Sequence, residues 1–331
     1  MQLRPVPPVP SVIQRQVEIL DLRHYRSSDL RTLLAEETNS WARQLSWDYS
    51  SSAEMILRYM DARILPGYAA AQDGRVLGYG FFVYEGSKGV IGDLFVSQRV
   101  LGNRRDIEEQ LLAHVIETLQ QSPGVHRIEA QLLLYPAESM ARPFVEQGFR
   151  RYPRLFMSLP LEGQWHNGNL AAQFPDIEFR KWSEEEFQGV ASVITAAYRD
   201  HVDSEINDQY RTTAGSMRFL NNIVRFPGCG QFDGESSLVA RSRLTKAPLG
   251  VILCSRVRSD VGHITQVCLT PEHRRRGLGR ALISATCAEL QRRHCKTLSL
   301  TVTEANTSAV QLYERMGFKT LHVFDAFVWE G

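Results

Sequence analysis

Two hydrophobic periods, of about two and about 3.6 residues, alternate along this 331-residue chain, and the same succession of periods runs through it twice. In the first pass, Val17–Leu22 (VEILDL) reads as a strand. Ser27-Ser28-Asp29 offers a cap for a helix through Glu37, and Ser50–Met60 predicts a second helix. Strand-like runs follow at Tyr68–Gln72, Arg75–Tyr84 and Gly89–Val96, with Asp73-Gly74 as a hairpin signal between the first two. Ile107, Leu111, Leu112, Val115 and Leu119 form one helical stripe. Val125–Leu134 then predicts a strand, Ala137–Gln147 a helix ending at Gly148-Phe149, and Phe149–Leu159 a final strand pair.

From Asp176 the order repeats. A strand (IEFR) and a helix over Glu184–Tyr198 precede a polar loop, Arg199–Arg211, and a helix over Thr212–Phe226. Strands are expected at Ser237–Ala240, Gly250–Arg256 and Gly262–Leu269, then a Gly-containing turn and a helix. Lys296–Val302 (KTLSLTV) is a strand and Asn306–Gly317 a short helix followed by Phe318. The chain thus reads as an α/β protein made by tandem duplication, with units at residues 1–160 and 176–331 and a linker at 161–175. Residues 1–12 form a Pro-rich arm with no apolar core of a signal peptide.

Composition narrows the classes. A length of 331 suits two domains, and a formal net charge of +1 argues against a nucleic-acid or membrane role. No apolar run has membrane-spanning length. All five cysteines (Cys229, Cys254, Cys268, Cys287, Cys295) lie in the second half without C-x-x-C or paired His spacing. That pattern fits a reducing, cytoplasmic setting and no metal site.

The chemistry concentrates in Thr265–Leu282, TQVCLTPEHRRRGLGRAL. Strand, turn and helix start follow one another there. Gly277 and Gly279 leave backbone open to close approach, and the first N–H groups of a helix have no internal partner. With the helix dipole and Arg274, Arg275, Arg276 and Arg280, this is an anion site suited to phosphate. It is neither a dinucleotide fingerprint, since Leu282 stands at the third Gly position, nor a P-loop.

Arg274-x-x-Gly277-x-Gly279, followed by Asn306, Tyr313, Gly317 and Phe318 at helical spacing, resembles the GNAT superfamily of N-acetyltransferases. Tandem members of that superfamily are known. The resemblance implies a mixed β-sheet flanked by helices in each unit. It implies acetyl-coenzyme A as cosubstrate and direct transfer to an amine-bearing small molecule or peptide. It assigns cofactor binding to Val267, Cys268, Leu269, Arg274, Arg275, Arg276, Gly277, Leu278, Gly279, Arg280, Asn306 and Tyr313, and makes Tyr313 the general acid at the departing thiolate. Setting Phe149 against Phe318 places Ala137 opposite Asn306 and Phe144 opposite Tyr313, so the first unit resembles a degenerate copy.

Acceptor binding falls to the polar loop in this resemblance, with His201, Asp203, Glu205 and Tyr210 as candidates. Gln266, His263 and Glu304 are rival groups for deprotonating the amine. Cys268 alternates with apolar neighbours and reads as packed, not nucleophilic. A monomer or loose dimer is expected. An acyl-coenzyme A sensor without turnover is the alternative function; a proton donor at Tyr313 argues for the enzyme.

Overall fold

The computed structural model describes residues 17–331 except 101, 164, 166–169, 227 and 229, so the Pro-rich arm and Cys229 lie outside the described residues. The first unit runs β1 (Glu18–Asp21), α1 (Ser27–Leu45), α2 (Ser50–Asp61), β2 (Gly67–Gln72), β3 (Arg75–Glu85) and β4 (Lys88–Val96). It continues with α3 (Arg104–Gln121), β5 (Arg127–Gln131), α4 (Ala141–Glu146) and β6 (Arg150–Pro160). After a short α5 (Leu170–Gln173) come β7 (Ile177–Lys181), α6 (Phe187–Ala197), α7 (Val202–Ile206) and α8 (Thr213–Arg225). The chain ends with β8 (Gln231–Phe232), β9 (Leu238–Ser242), β10 (Pro248–Arg258), β11 (Val261–Leu269), α9 (Leu278–Arg292), β12 (Thr297–Thr303), α10 (Thr307–Arg315) and β13 (Lys319–Glu330).

The repeat is visible in the hydrogen bonding. All the strands join one sheet in the order β1-β2-β3-β4-β5-β13-β6-β12-β11-β10-β9-β7, with β8 beside β10. The last strand of each unit is exchanged: β13 lies against β5 of the first unit, and β6 lies against β12 of the second. At the centre β6 and β13 pair antiparallel, Arg150 opposite Val328 and Ser158 opposite Lys319. The exchange is sealed by packing. Phe144 of α4 stacks face to face on Phe327 of β13 at 3.9 Å, both fully buried.

Several boundaries differ from the sequence expectation. The strand expected over Val125–Leu134 stops at Gln131. The helix expected from Ala137 begins at Ala141, because the Ala137 N–H is donated to Val323 O and Glu138 turns through φ 68°. Ala137 is therefore tied to β13 and does not cap a helix. Phe149–Leu159 forms one long strand, not a pair. The loop Arg199–Arg211 contains α7 and a further single turn at Asp208–Arg211. Among the described residues no helix is long and apolar enough to cross a membrane, and no cluster of metal-binding side chains is present.

A pair of carboxyls sits inside the first unit. Glu37 of α1 accepts from Tyr79 Oη at 2.7 Å, and Asp93 of β4 accepts from Tyr49 Oη at 2.7 Å and from Leu94 N at 2.8 Å. Burial raises both acids, Glu37 well above the carboxylate range with the charge of Asp93 adding to it. A folded-state pKa above the unfolded value means that the native state holds the proton more tightly. Glu37 thus contributes stability at pH below its unfolded value of about 4.5, and that contribution is lost as pH rises through its folded value. Each unit of separation is worth about 1.4 kcal/mol. Glu37→Gln keeps a neutral partner for Asp93, so it is expected to raise the melting temperature at pH 8 and to flatten its decline between pH 5 and 8. A melting curve series that falls in parallel for both proteins refutes a Glu37 carboxyl raised by its burial.

Candidate coenzyme and acceptor site

The parallel pair β11–β12 is registered only from Val261–Thr297 to Ile264–Leu300. Beyond Ile264, β11 runs on to Leu269 with no partner on that side. Thr270 N donates to Leu249 O on β10. By strand alternation, the peptide groups of Val267 and Leu269 therefore point into the opening between the splayed strands. Both side chains are half-buried there. A slot with unpaired backbone donors is built to take an extended, amide-bearing ligand as one more strand.

The slot ends at the anion turn. Arg275 (φ 59°) and Gly277 (φ 82°) both adopt left-handed backbone, a conformation that gathers N–H groups into a concavity. Gly277 caps α9, whose first internal bond is Ala281 N to Gly277 O, so the N–H groups of Leu278, Gly279 and Arg280 are free of the helix. A Cβ on Gly279 would meet nothing closer than Leu269 Cδ1 at 3.7 Å and Leu312 Cδ2 at 3.8 Å. The protein's own packing does not demand glycine there, whereas a phosphate lying on the helix terminus would. Arg274 folds back onto Leu269 O and Ala197 O, tying the turn to the C-terminus of α6. Arg275, Arg276 and Arg280 are exposed beside the turn. Two surface clefts, of about 1140 and 830 Å³, do not include any of these residues. The site is a slot between strands, not a bowl.

On the far wall, Asn306 is the cap of α10: its Oδ1 accepts from Ala309 N and from Ser308 Oγ, both at 3.3 Å. Seven residues on, Tyr313 is 7% exposed and tilts against Phe318 at 5.7 Å. Its hydroxyl has no hydrogen-bond partner among the described residues. Burial, then the charge of Asp203, push the Tyr313 phenol up, so it holds its proton at any working pH. Burial likewise pushes the Cys268 thiol up to about 12, which leaves it packed and unreactive.

The acceptor candidates surround the same slot. Tyr198 stacks on Tyr210 at 4.4 Å, meets His201 edge-on at 5.3 Å, and accepts from Gln266 Nε2 at 3.0 Å. Asp203 accepts from Thr303 Oγ1 at the end of β12, with His201 Nδ1 3.5 Å from its Oδ2. The structure therefore brings His201, Asp203, Tyr210 and Gln266 together near Tyr313. It does not bring His263 there: that ring is buried against Trp47 and Phe156, its Nδ1 2.9 Å from Ser299 Oγ, and burial lowers it to about 3. Glu304 is exposed. Glu205 turns the other way, onto Tyr152 Oη at 2.8 Å.

Tyr198, Arg154 and the first-unit anchors of α7 escaped the sequence reading. Lys88 Nζ bonds Asp208 at 2.8 Å and Glu129 at 3.0 Å, and Arg127 reaches Glu205 O. Only the strand exchange brings these groups to the loop, and no local signal marks that.

The first unit has the same splay and has closed it. β4–β5 pairing spans Lys88–Arg127 to Ile91–Ala130. Asp93 then occupies the register position of Gln266, and its own carboxylate takes the Leu94 N–H that corresponds to Val267. Leu94, Val96, Leu132, Tyr135 and Met140 fill the remaining space in one buried cluster.

Comparison with known proteins agrees with this geometry. Residues 199–318 match the acetyltransferase (GNAT) family model. A stretch of 58 residues is 48% identical to mycothiol acetyltransferase of Thermobispora bispora, covering 18% of this chain and 20% of that one. Another, of 64 residues, is 38% identical to the ribosomal protein bS18-alanine N-acetyltransferase of Escherichia coli K12, covering 19% and 43%. The chain thus spans less than half the length of either relative. A GCN5-related N-acetyltransferase from Sphaerobacter thermophilus superposes over 95% of both chains with a TM-score of 0.66 at 16% identity. A tandem GNAT protein from the clavulanic acid pathway does so over 95% and 98%, with a TM-score of 0.58 at 15% identity. Those two likenesses show the fold along the whole chain. The match to the acetyltransferase (GNAT) family model lies at residues 199–318, within the second unit.

Proposed function

We propose that the chain moves an acetyl group from acetyl-coenzyme A directly to an amine, with the catalytic unit at 176–331 and the unit at 1–160 as its support. The observation that carries this is the alignment of three features: the open N–H groups of Val267 and Leu269, the free N-terminus of α9, and the unpartnered Tyr313 hydroxyl. The turn Arg274–Arg280 holds the pyrophosphate, Val267 and Leu269 hold the pantetheine amides, and Asn306 fixes the wall of the slot opposite them. Acetyl-coenzyme A supplies an activated acyl carbon with a thiolate as leaving group. A backbone N–H of the open β11 edge that the pantetheine amides leave free polarises the acyl oxygen, and Tyr313 donates a hydrogen bond to the sulfur. Asp203 holds the acceptor ammonium beside Tyr198 and Tyr210, and takes its proton directly or through water, because only the neutral amine attacks.

The test is coenzyme A release across a panel of amines and peptides, paired with calorimetric titration of acetyl-coenzyme A. Release with at least one amine and one tight coenzyme site per chain are expected. Two equivalent tight sites contradict the closed state of the first unit. Binding without release from any amine favours the sensor.

A further inference from the structure

Beside the Asp203–Thr303 contact stands a cation that forms no ion pair among the described residues. Arg154 lies on β6, the strand lent by the first unit, directly opposite Thr303 of β12, which bonds Asp203. Its Nη1 donates to Gln131 Oε1 at 2.8 Å, and its Nε is buried without a partner. Among the described residues Arg154 forms no ion pair. Its charge is felt by two rings of the site's surroundings, favouring the ionised form of Tyr210 and disfavouring protonation of His263. The neighbouring arginines of β6 are unlike it: Arg150 pairs with Glu330 and Arg151 with Glu138. A half-buried guanidinium with an orphaned donor and no counter-ion is costly unless an anion arrives. Arg is also the side chain best shaped to take a carboxylate through two parallel hydrogen bonds.

We propose that Arg154 binds a carboxylate on the amine acceptor, so that the acceptor is an amino acid or a peptide presenting amine and carboxylate close together. This rests on the acetyl-transfer reading of the same site. Asp203 takes the ammonium and Arg154 the acid: Asp203 is bonded to Thr303, and Arg154 stands directly opposite Thr303 in the sheet. Specificity in the second unit is therefore supplied by a residue of the first.

The experiment needs no turnover. Coenzyme A is first titrated into the protein by calorimetry. N-acetyl derivatives of alanine, leucine and phenylalanine, each as free acid and as carboxamide, are then titrated into the saturated protein. At least one acid is expected to bind tenfold or more tighter than its amide. Arg154→Gln is expected to erase that difference without changing coenzyme A affinity, and Arg154→Lys to keep part of it. Gln131→Glu places a carboxylate against the guanidinium and is expected to erase the difference with Arg154 intact. A structural tie between Arg154 and Gln131 alone would not distinguish acid from amide. No preference for any acid in the parent protein, whether or not anything binds, overturns the proposal, as does a preference that survives Arg154→Gln. Failure of coenzyme A to bind in the first titration overturns instead the broader reading.

Discussion

Gly279→Asp is expected to abolish acetyl-coenzyme A binding while leaving the protein as stable as its parent. The substitution is the second residue of α9, in the first turn, where a negative side chain is favoured by the helix dipole. Asp is also a better helix former than Gly, and the Cβ meets only ordinary contacts with Leu269 and Leu312. Folding therefore has nothing to lose. The ligand does, because the new carboxylate stands where phosphate would lie against the N–H groups of Leu278–Arg280. A loss of at least 100-fold in affinity, about 2.8 kcal/mol, is expected. Calorimetry with acetyl-coenzyme A reads the binding and thermal melting reads the fold. An unchanged dissociation constant places the coenzyme elsewhere. Gly277→Asp is the less clean probe, since φ 82° at that position strains any side chain.

Tyr313→Phe separates packing from proton donation. Phe retains the buried ring beside Phe318 and deletes only the hydroxyl that lacks a partner. General acids contribute roughly 100- to 10,000-fold. The low end, about 100-fold in kcat, is expected because a thiolate is a fair leaving group and because burial makes this phenol a reluctant acid. The coenzyme dissociation constant should hardly move, since the hydrogen bond matters most as charge develops on sulfur. The phenol stays protonated throughout, so the pH profile should keep its shape and lose only height. Unchanged kcat with the best acceptor of the panel leaves Tyr313 a packing residue and removes it from the mechanism.

Elements whose apolar faces are single were legible in the sequence: the stripe Ile107–Leu119 and the strands flanking Asp73-Gly74 are where alternation put them. So was the turn at Arg274–Gly279, because its residues are contiguous and its glycines announce a special backbone. The final strand Lys319–Glu330 was not: five consecutive residues, Phe324–Val328, are buried at the centre of the sheet, and a strand covered on both faces loses its alternation. The exchange of β6 and β13 left no mark either. An exchanged strand satisfies the same local pattern as one that stays at home, and only long-range pairing distinguishes them. Arg154 was hidden for that reason. Its role depends on Thr303, a partner across the exchange, and Arg in a basic stretch reads as surface. The loop Arg199–Arg211 was legible as polar, but its fixed shape comes from Lys88 and Arg127 in the other unit.

The exchange of the last strands sets an order of events in the making of the protein. Arg127 waits for Glu330, and Phe144 for Phe327, so the first half of the chain cannot close its core until Lys319–Glu330 has left the ribosome. Folding of this duplicated chain is therefore not the successive completion of two domains, and its central pairings carry the large sequence separations that slow folding. A chain without its first 160 residues would also lack β6, the strand that pairs with β12, so the second half depends on the first to complete its own sheet.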